Sequence, residues 1–253
     1  MSAGRPAGTS PAGRRPPAPP PHHHPLTSLT STQRRLFVFL SVATFFEGYD
    51  FTALSQVLPN LRADLGLSPE AGGQLVSVIG LGTILAYIPI RWADRAGRRP
   101  VLQVTILGYA LCALLSGLSR GVVDFAAYQL LGRVFLIAEW ALSMVYAAEA
   151  FPAERRGFVI GVVQSATAFG SIVCAGVTPL LLKTGQGWRA VYLVGVIPLL
   201  LLAWARRGLP ETDRFLKDGP AGGAVTGLMA LWRSPRRTRV LQLAAIWSLT
   251  YIC

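Results

Sequence analysis

From about Leu36 onward the chain is a succession of apolar runs of roughly 18 to 25 residues, each closed by a short polar segment. A helix rises ~1.5 Å per residue, so each run is long enough to cross a bilayer core of ~30 Å. Charged residues make up only 14% of the chain and hydrophobic ones 52%. A soluble domain carries about 25% charge. The fold class expected is therefore an all-α membrane protein.

The runs place span 1 at about Leu36 to Leu58, ending at Pro59, and span 2 at Gly72 to Ile90. Spans 3 and 4 cover Val101 to Leu118 and Val122 to Ala148, and spans 5 and 6 cover Gly157 to Leu182 and Ala190 to Ala205. A seventh begins near Val240 and reaches the last residue, Cys253, after too few residues to cross. The chain is expected to stop inside that element, as a fragment or a truncated product. The connections Arg62 to Glu70, Ser119 to Gly121 and Thr184 to Trp188 are tight, so successive spans should be antiparallel neighbours. Gly157 and Gly161, at GxxxG spacing, suggest close helix packing in span 5.

Four further features complete the organisation. Residues 1–33 form a Pro-rich tail expected to be disordered; its His22, His23 and His24 read as solvated sequence rather than a metal site. Residues 34–206 form the six-span unit, 207–239 a loop, and 240–253 the start of span 7. No apolar segment precedes residue 36, so span 1 should itself direct insertion. Cys112, Cys174 and Cys253 fall in three different runs and suggest neither a disulfide nor a metal framework. No cofactor is implied.

The net charge of +12 invites a nucleic-acid partner, and the placement of the charges argues against one. Nineteen Lys and Arg residues fall in the leader and in every second connection, whereas Arg62, Arg120, Lys183 and Arg189 are the four on the other side. Basic residues collect in cytoplasmic loops, so the amino terminus is expected in the cytoplasm of a multi-pass protein of the plasma (inner) membrane.

An ionisable group near the bilayer centre costs at least ~2.5–3.5 kcal/mol and so usually faces a partner or a watery cavity. Glu47 and Asp50 lie three residues apart in span 1, on one face, at ~16 and ~21 Å from the inner surface. Span 4 runs the other way, which puts Arg133 at ~16 Å from the outer surface and Glu139 at ~26 Å. Two carboxylates on one face repel when both are ionised, an arrangement suited to holding and releasing a proton. Glu47 and Asp50 are the proton-coupling candidates, and Arg133 is the candidate for attracting an anion. The competing reading is a structural ion pair of Arg133 with a span 1 carboxylate. Gln129 shares the face of Arg133 and either lines the cavity or satisfies a neighbouring helix. Glu139 lies ~240° around the helix, at the cavity or at a cytoplasmic gate.

The connection after span 2 contains Asp94, Arg95, Gly97, Arg98, Arg99 and Pro100. It resembles the D-R-x-G-R-R loop of the major facilitator superfamily. Ala148 to Gly157, with Glu149 and Arg156, resembles the family's loop between spans 4 and 5, and Leu209-Pro210-Glu211-Thr212 its P-E-S/T motif after span 6. The resemblance implies a six-helix amino-terminal bundle of two inverted three-helix repeats, with spans 1 and 4 as cavity helices. It also implies a cytoplasmic gate in which Asp94 and the arginines meet helix ends, with Glu149, Glu211 and Arg156 as partners.

Phe45 to Phe51, FFEGYDF, resembles the acid-Gly-aromatic-acid motif of bacterial proton symporters for aromatic acids and related metabolites. Span 5 lacks the glycine–proline pattern of drug/proton antiporters, because Cys174 and Thr178-Pro179 interrupt it. The function expected is proton-coupled uptake of a small organic anion by alternating access. Its partners would be the substrate, protons, the bilayer and a carboxy-terminal six-helix half. The rivals are a fragment that transports nothing or a half-transporter that pairs, and then a drug antiporter or a sugar transporter. No nucleophile–base set, phosphate loop or metal spacing suggests an enzyme.

Overall fold

A computed structural model describes residues 30–205 and, beyond them, 207, 235, 237–239, 241, 242, 245 and 246. The tail before Thr30, Glu211 and, at the start of the seventh span, 240, 243, 244 and 247–253 lie outside the described residues. Within residues 30–205 eight helices follow one another: α1 (Ser31–Leu65), α2 (Pro69–Gly80), α3 (Gly82–Leu85), α4 (Tyr87–Ala96), α5 (Arg98–Gly117), α6 (Val122–Ala150), α7 (Ala153–Leu181) and α8 (Arg189–Ala205). No strand occurs among the described residues.

Local chemistry sets the helix ends. Thr30 caps α1 by accepting from the Gln33 amide at 3.2 Å, while the Gln33 side chain accepts from the Thr30 amide at 3.2 Å. The helix does not stop at Pro59; it runs on to Leu65 and closes at Gly66, whose φ of +64° suits a residue without a Cβ. Proline removes one donor, and here the ladder continues around it. Ser68 caps α2 with Pro69 in the first turn. The second span is broken at Leu81 and Ala86, both still right-handed, so α2, α3 and α4 stack as one apolar rod from Pro69 to Ala96. Gly97, at φ +98°, reverses the chain into α5. Asp124 holds the start of α6 by accepting from the amides of Arg120, Gly121 and Phe125 at 2.7, 2.8 and 3.0 Å.

Five of these units are long and apolar enough to cross a membrane: α1, the α2–α4 rod, α5, α6 and α7. The sixth span of the sequence reading, α8, is apolar but only 17 residues long. Two buried clusters fill the ends of the bundle. One gathers Leu36, Leu40, Val101, Leu102, Leu142, Tyr146 and Phe151 at the arginine-rich end. The other gathers Leu54, Val57, Leu61, Leu75, Ile79, Phe125, Trp188 and Tyr192 at the opposite end. There the Trp188 and Tyr192 rings meet Phe125 edge-on at 5.4 and 5.9 Å. In the middle stretches of α1 and α6 lie Glu47, Asp50, Arg133 and Glu139.

Helix α1 makes its most extensive contact with α7. The seam depends on Gly48 and Gly170: a Cβ at Gly48 would strike the Thr167 carbonyl, and one at Gly170 the Phe45 carbonyl. Thr44 and Ser171 stitch it by donating to the carbonyls of Val163 and Gly48, each at 3.0 Å. The GxxxG reading of α7 is corrected here. Added Cβ atoms at Gly157 and Gly161 would meet nothing within 4 Å among the described residues. The close approach uses a different face of the helix.

Candidate functional site

The middle of α1 presents two carboxylates to different neighbours. Glu47 lines a cavity of about 170 Å³ together with Phe51, Trp140 of α6, and Gln164, Thr167 and Ser171 of α7. The Gly48–Thr167 crossing puts α7 directly against this part of α1. Trp140 donates its indole N–H to Gln164 Oε1 at 3.0 Å, which fixes both side chains on the cavity wall. Two buried oxygens in this wall have no hydrogen-bond partner among the described residues, Glu47 Oε2 and Thr167 Oγ1. Buried polar atoms are nearly always paired, so this pair of exceptions marks the place where the wall is unfinished.

Asp50, one turn further on, is 8% exposed, and Tyr109 of α5 is near enough to act on it electrostatically. Arg133 of α6 acts electrostatically on both carboxylates. It reaches its level because Gly82 of α3 lets the Arg133 stem pass at a distance that a Cβ would close. Its guanidinium stands over the Phe51 ring, 5.0 Å from the centroid. Among the described residues Arg133 makes no ion pair; the arginine pairs present are Arg98 with Asp94 and Glu149, and Arg189 with Asp64. A guanidinium over a ring at this distance is a cation–π contact, and it leaves the donors of Arg133 available.

The other two residues on α6 are occupied by neighbours. Glu139 is buried between α6 and α5, accepting from Thr105 Oγ1 at 2.7 Å and from Ser143 Oγ at 3.4 Å, while its charge is felt at Glu47. Gln129, also buried, donates to Ser116 Oγ at 2.9 Å and so braces α6 against α5. Phe51 entered the sequence reading only as the end of a motif, and Trp140, Gln164, Thr167, Ser171 and Tyr109 were not singled out. Phe51 lies four residues after Glu47, and Thr167 and Ser171 are four apart on α7, so helical spacing held a signal for those three.

At the arginine-rich end, Arg98 joins two helix ends, with Asp94 Oδ1 at 3.5 Å and Glu149 Oε1 at 3.4 Å. Gly97 makes the turn that brings Asp94 and Arg98 to the same end. Arg99 donates to the Arg207 carbonyl at 2.7 Å, Arg156 to the Phe151 carbonyl at 3.4 Å, and Arg95 is exposed. At the opposite end Asp64 accepts from Trp188 Nε1 at 3.0 Å and from Arg189 at 2.8 Å, which ties α1 to the start of α8.

Comparison with known proteins fits this arrangement. Over 176 residues the chain is 34% identical to a metabolite transport protein of Haemophilus influenzae, covering 69% of this chain and 43% of that protein. It is 28% identical over 207 residues to the gallate transporter of Pseudomonas putida, covering 80% and 46%. Its fold matches the inward open xylose transporter XylE from E. coli with a TM-score of 0.64 at 23% identity, over 81% of this chain and 54% of that one. The chain thus spans less than half the length of the curated relatives it matches. Residues 40–253 match the family model of the Major Facilitator Superfamily, and the chain belongs to that family of membrane transporters.

Proposed function

We infer that this chain forms one wall of a secondary transporter that takes up a small organic anion together with a proton. The single observation that supports it most is the unpartnered Glu47 oxygen on a cavity wall at the level of Arg133. A carboxylate with a buried, unpartnered oxygen is a place to hold a proton, and a guanidinium with no ion pair among the described residues is a place to hold an anion. Against the alternative reading of Arg133 as a structural staple stands the lack of an ion pair with Glu47 or Asp50 among the described residues. Gallate, the cargo in the name of one relative, is a carboxylate of suitable chemistry.

In this scheme Glu47 takes up a proton from the outer side as the anion settles near Arg133. Neutralising both charges lets the two halves rock, and both cargoes leave on the cytoplasmic side. The opposite wall comes from a second six-helix half. Asp94, Arg98 and Glu149 act as the cytoplasmic gate, with Arg95, Gly97, Arg99 and Arg156 around it; Glu211 is a gate candidate on its motif alone. Asp50 sets the field at Arg133, and Gln129 and Glu139 position α6 against α5.

The test is uptake of labelled gallate and other carboxylates into vesicles carrying the full-length transporter, with an imposed pH gradient. Glu47→Gln should abolish gradient-driven accumulation while leaving exchange of internal for external substrate. If Glu47→Gln and Asp50→Asn each accumulated substrate like the parent, the coupling scheme would be wrong.

A further inference from the structure

A second cavity, of about 380 Å³, lies on the far side of α6 from Glu47. Its walls are Leu85, Ile88 and Trp92 of the α3–α4 segment, Val104 of α5, and Leu131 and Phe135 of α6. It offers a ligand almost no polarity: the one hydroxyl in its lining, on Thr105, already donates to Glu139 at 2.7 Å. Leu85, Ile88, Trp92, Val104 and Leu131 are all exposed in the groove, with Ile88 reaching 67%. In a bundle whose helices cross a membrane, an open apolar groove suits a hydrocarbon chain.

The end of the groove supplies a charge. Ile88, Trp92 and Arg95 fall at i, i+4 and i+7 on α4, hence on one face. Arg95 stands ~10 Å along the helix from Ile88, at the arginine-rich end. Its neighbours are engaged: Arg91 with the Tyr87 hydroxyl at 3.0 Å, Arg98 with two carboxylates, and Arg99 with a backbone carbonyl. Arg95 is exposed and makes no hydrogen bond or ion pair among the described residues. Trp92 between them is the residue type that sits at the headgroup level of a bilayer.

We propose that this groove is a binding site for an anionic phospholipid, with an acyl chain along Leu85, Ile88 and Leu131 and the phosphate at Arg95. A zwitterionic lipid of the same chains fills the groove without gaining the charge contact. The proposal does not rest on the coupling scheme, because it uses neither Glu47 nor Arg133; it shares only Arg95 with the gate loop, and lipid quenching is read without transport.

Trp92 serves as its own reporter. Vesicles are prepared with brominated phosphatidylglycerol or brominated phosphatidylcholine, and the Trp92 signal is taken as the difference between the full protein and its Trp92→Phe variant. Both lipids should quench it, phosphatidylglycerol at about five-fold lower mole fraction, the preference one basic residue confers at an anionic surface. Arg95→Gln, on the exposed face and without a hydrogen bond or ion pair among the described residues, should erase that preference while leaving quenching by either lipid. Leu131→Trp, which fills the groove, should remove quenching by both; its fold is checked by thermal unfolding. Absence of quenching by both lipids would mean that protein covers the groove, and an unchanged preference in Arg95→Gln would mean the charge lies elsewhere. Either result overturns the proposal.

Discussion

Arg133 has a problem that any guanidinium faces inside an apolar bundle: losing water is expensive unless something replaces it. Part of the replacement is the Phe51 ring at 5.0 Å, and part is the field of Glu47 and Asp50. A ring holds the cation without using its hydrogen-bond donors, whereas a carboxylate partner would consume them. In the proposed scheme Phe51 therefore keeps Arg133 free for an anion. Phe51→Leu preserves apolar bulk and removes the π face, which leaves the guanidinium to collapse onto Asp50. Apparent affinity for the carboxylate should fall about 2- to 30-fold, the range that a contact of ~0.5–2 kcal/mol represents. The concentration dependence of uptake measures it, with an unchanged KM as the contrary result.

Helix α1 can carry buried charge because α7 lies so close behind it. The seam is built on Gly48 and Gly170, where each backbone touches the other, and its hydroxyls at Thr44 and Ser171 donate across it. A methyl at either glycine must push the helices apart, at an overpacking cost of ~1–3 kcal/mol. Gly48→Ala and Gly170→Ala should both lower the thermal midpoint of the purified protein in detergent, while Gly161→Ala, facing open space, should leave it in place. Equal midpoints for all three would contradict the seam. This contrast also marks how far the sequence can be read. Apolar run length reveals the helices, because burial in lipid is a property of each segment alone. Which glycine meets a neighbour depends on how two helices are rotated, and GxxxG spacing pointed to Gly157 and Gly161 instead. The same blindness hid Trp140, Gln164 and Thr167, whose relevance arises only once α7 is set against Glu47. Likewise, Pro59 looked like a terminator, yet the cap that ends α1 is Gly66.

Across the whole molecule the charges fall into three levels: a polar belt between two apolar clusters, an arginine-rich end, and an end closed by Asp64 with Trp188 and Arg189. The belt was legible from depth along two antiparallel spans, since helical rise is fixed; the partners of Glu139 and Gln129 across α5 were not, because they require a third helix. The outer two levels support a proposed orientation in the bilayer. Lys and Arg are retained on the cytoplasmic side during insertion, and they outnumber their counterparts on the opposite face nineteen to four. The turn at Gly97 should then lie inside the cell and the turn between α7 and α8 outside. Cys112 and Cys174 are buried, so single reporter cysteines can be introduced with Cys253 replaced by serine. A membrane-impermeant maleimide should label Thr184→Cys in intact cells and Ala96→Cys only after permeabilisation. Labelling in the reverse order would invert the molecule, placing the Arg98–Asp94–Glu149 cluster on the outer face and making the proposed uptake an export.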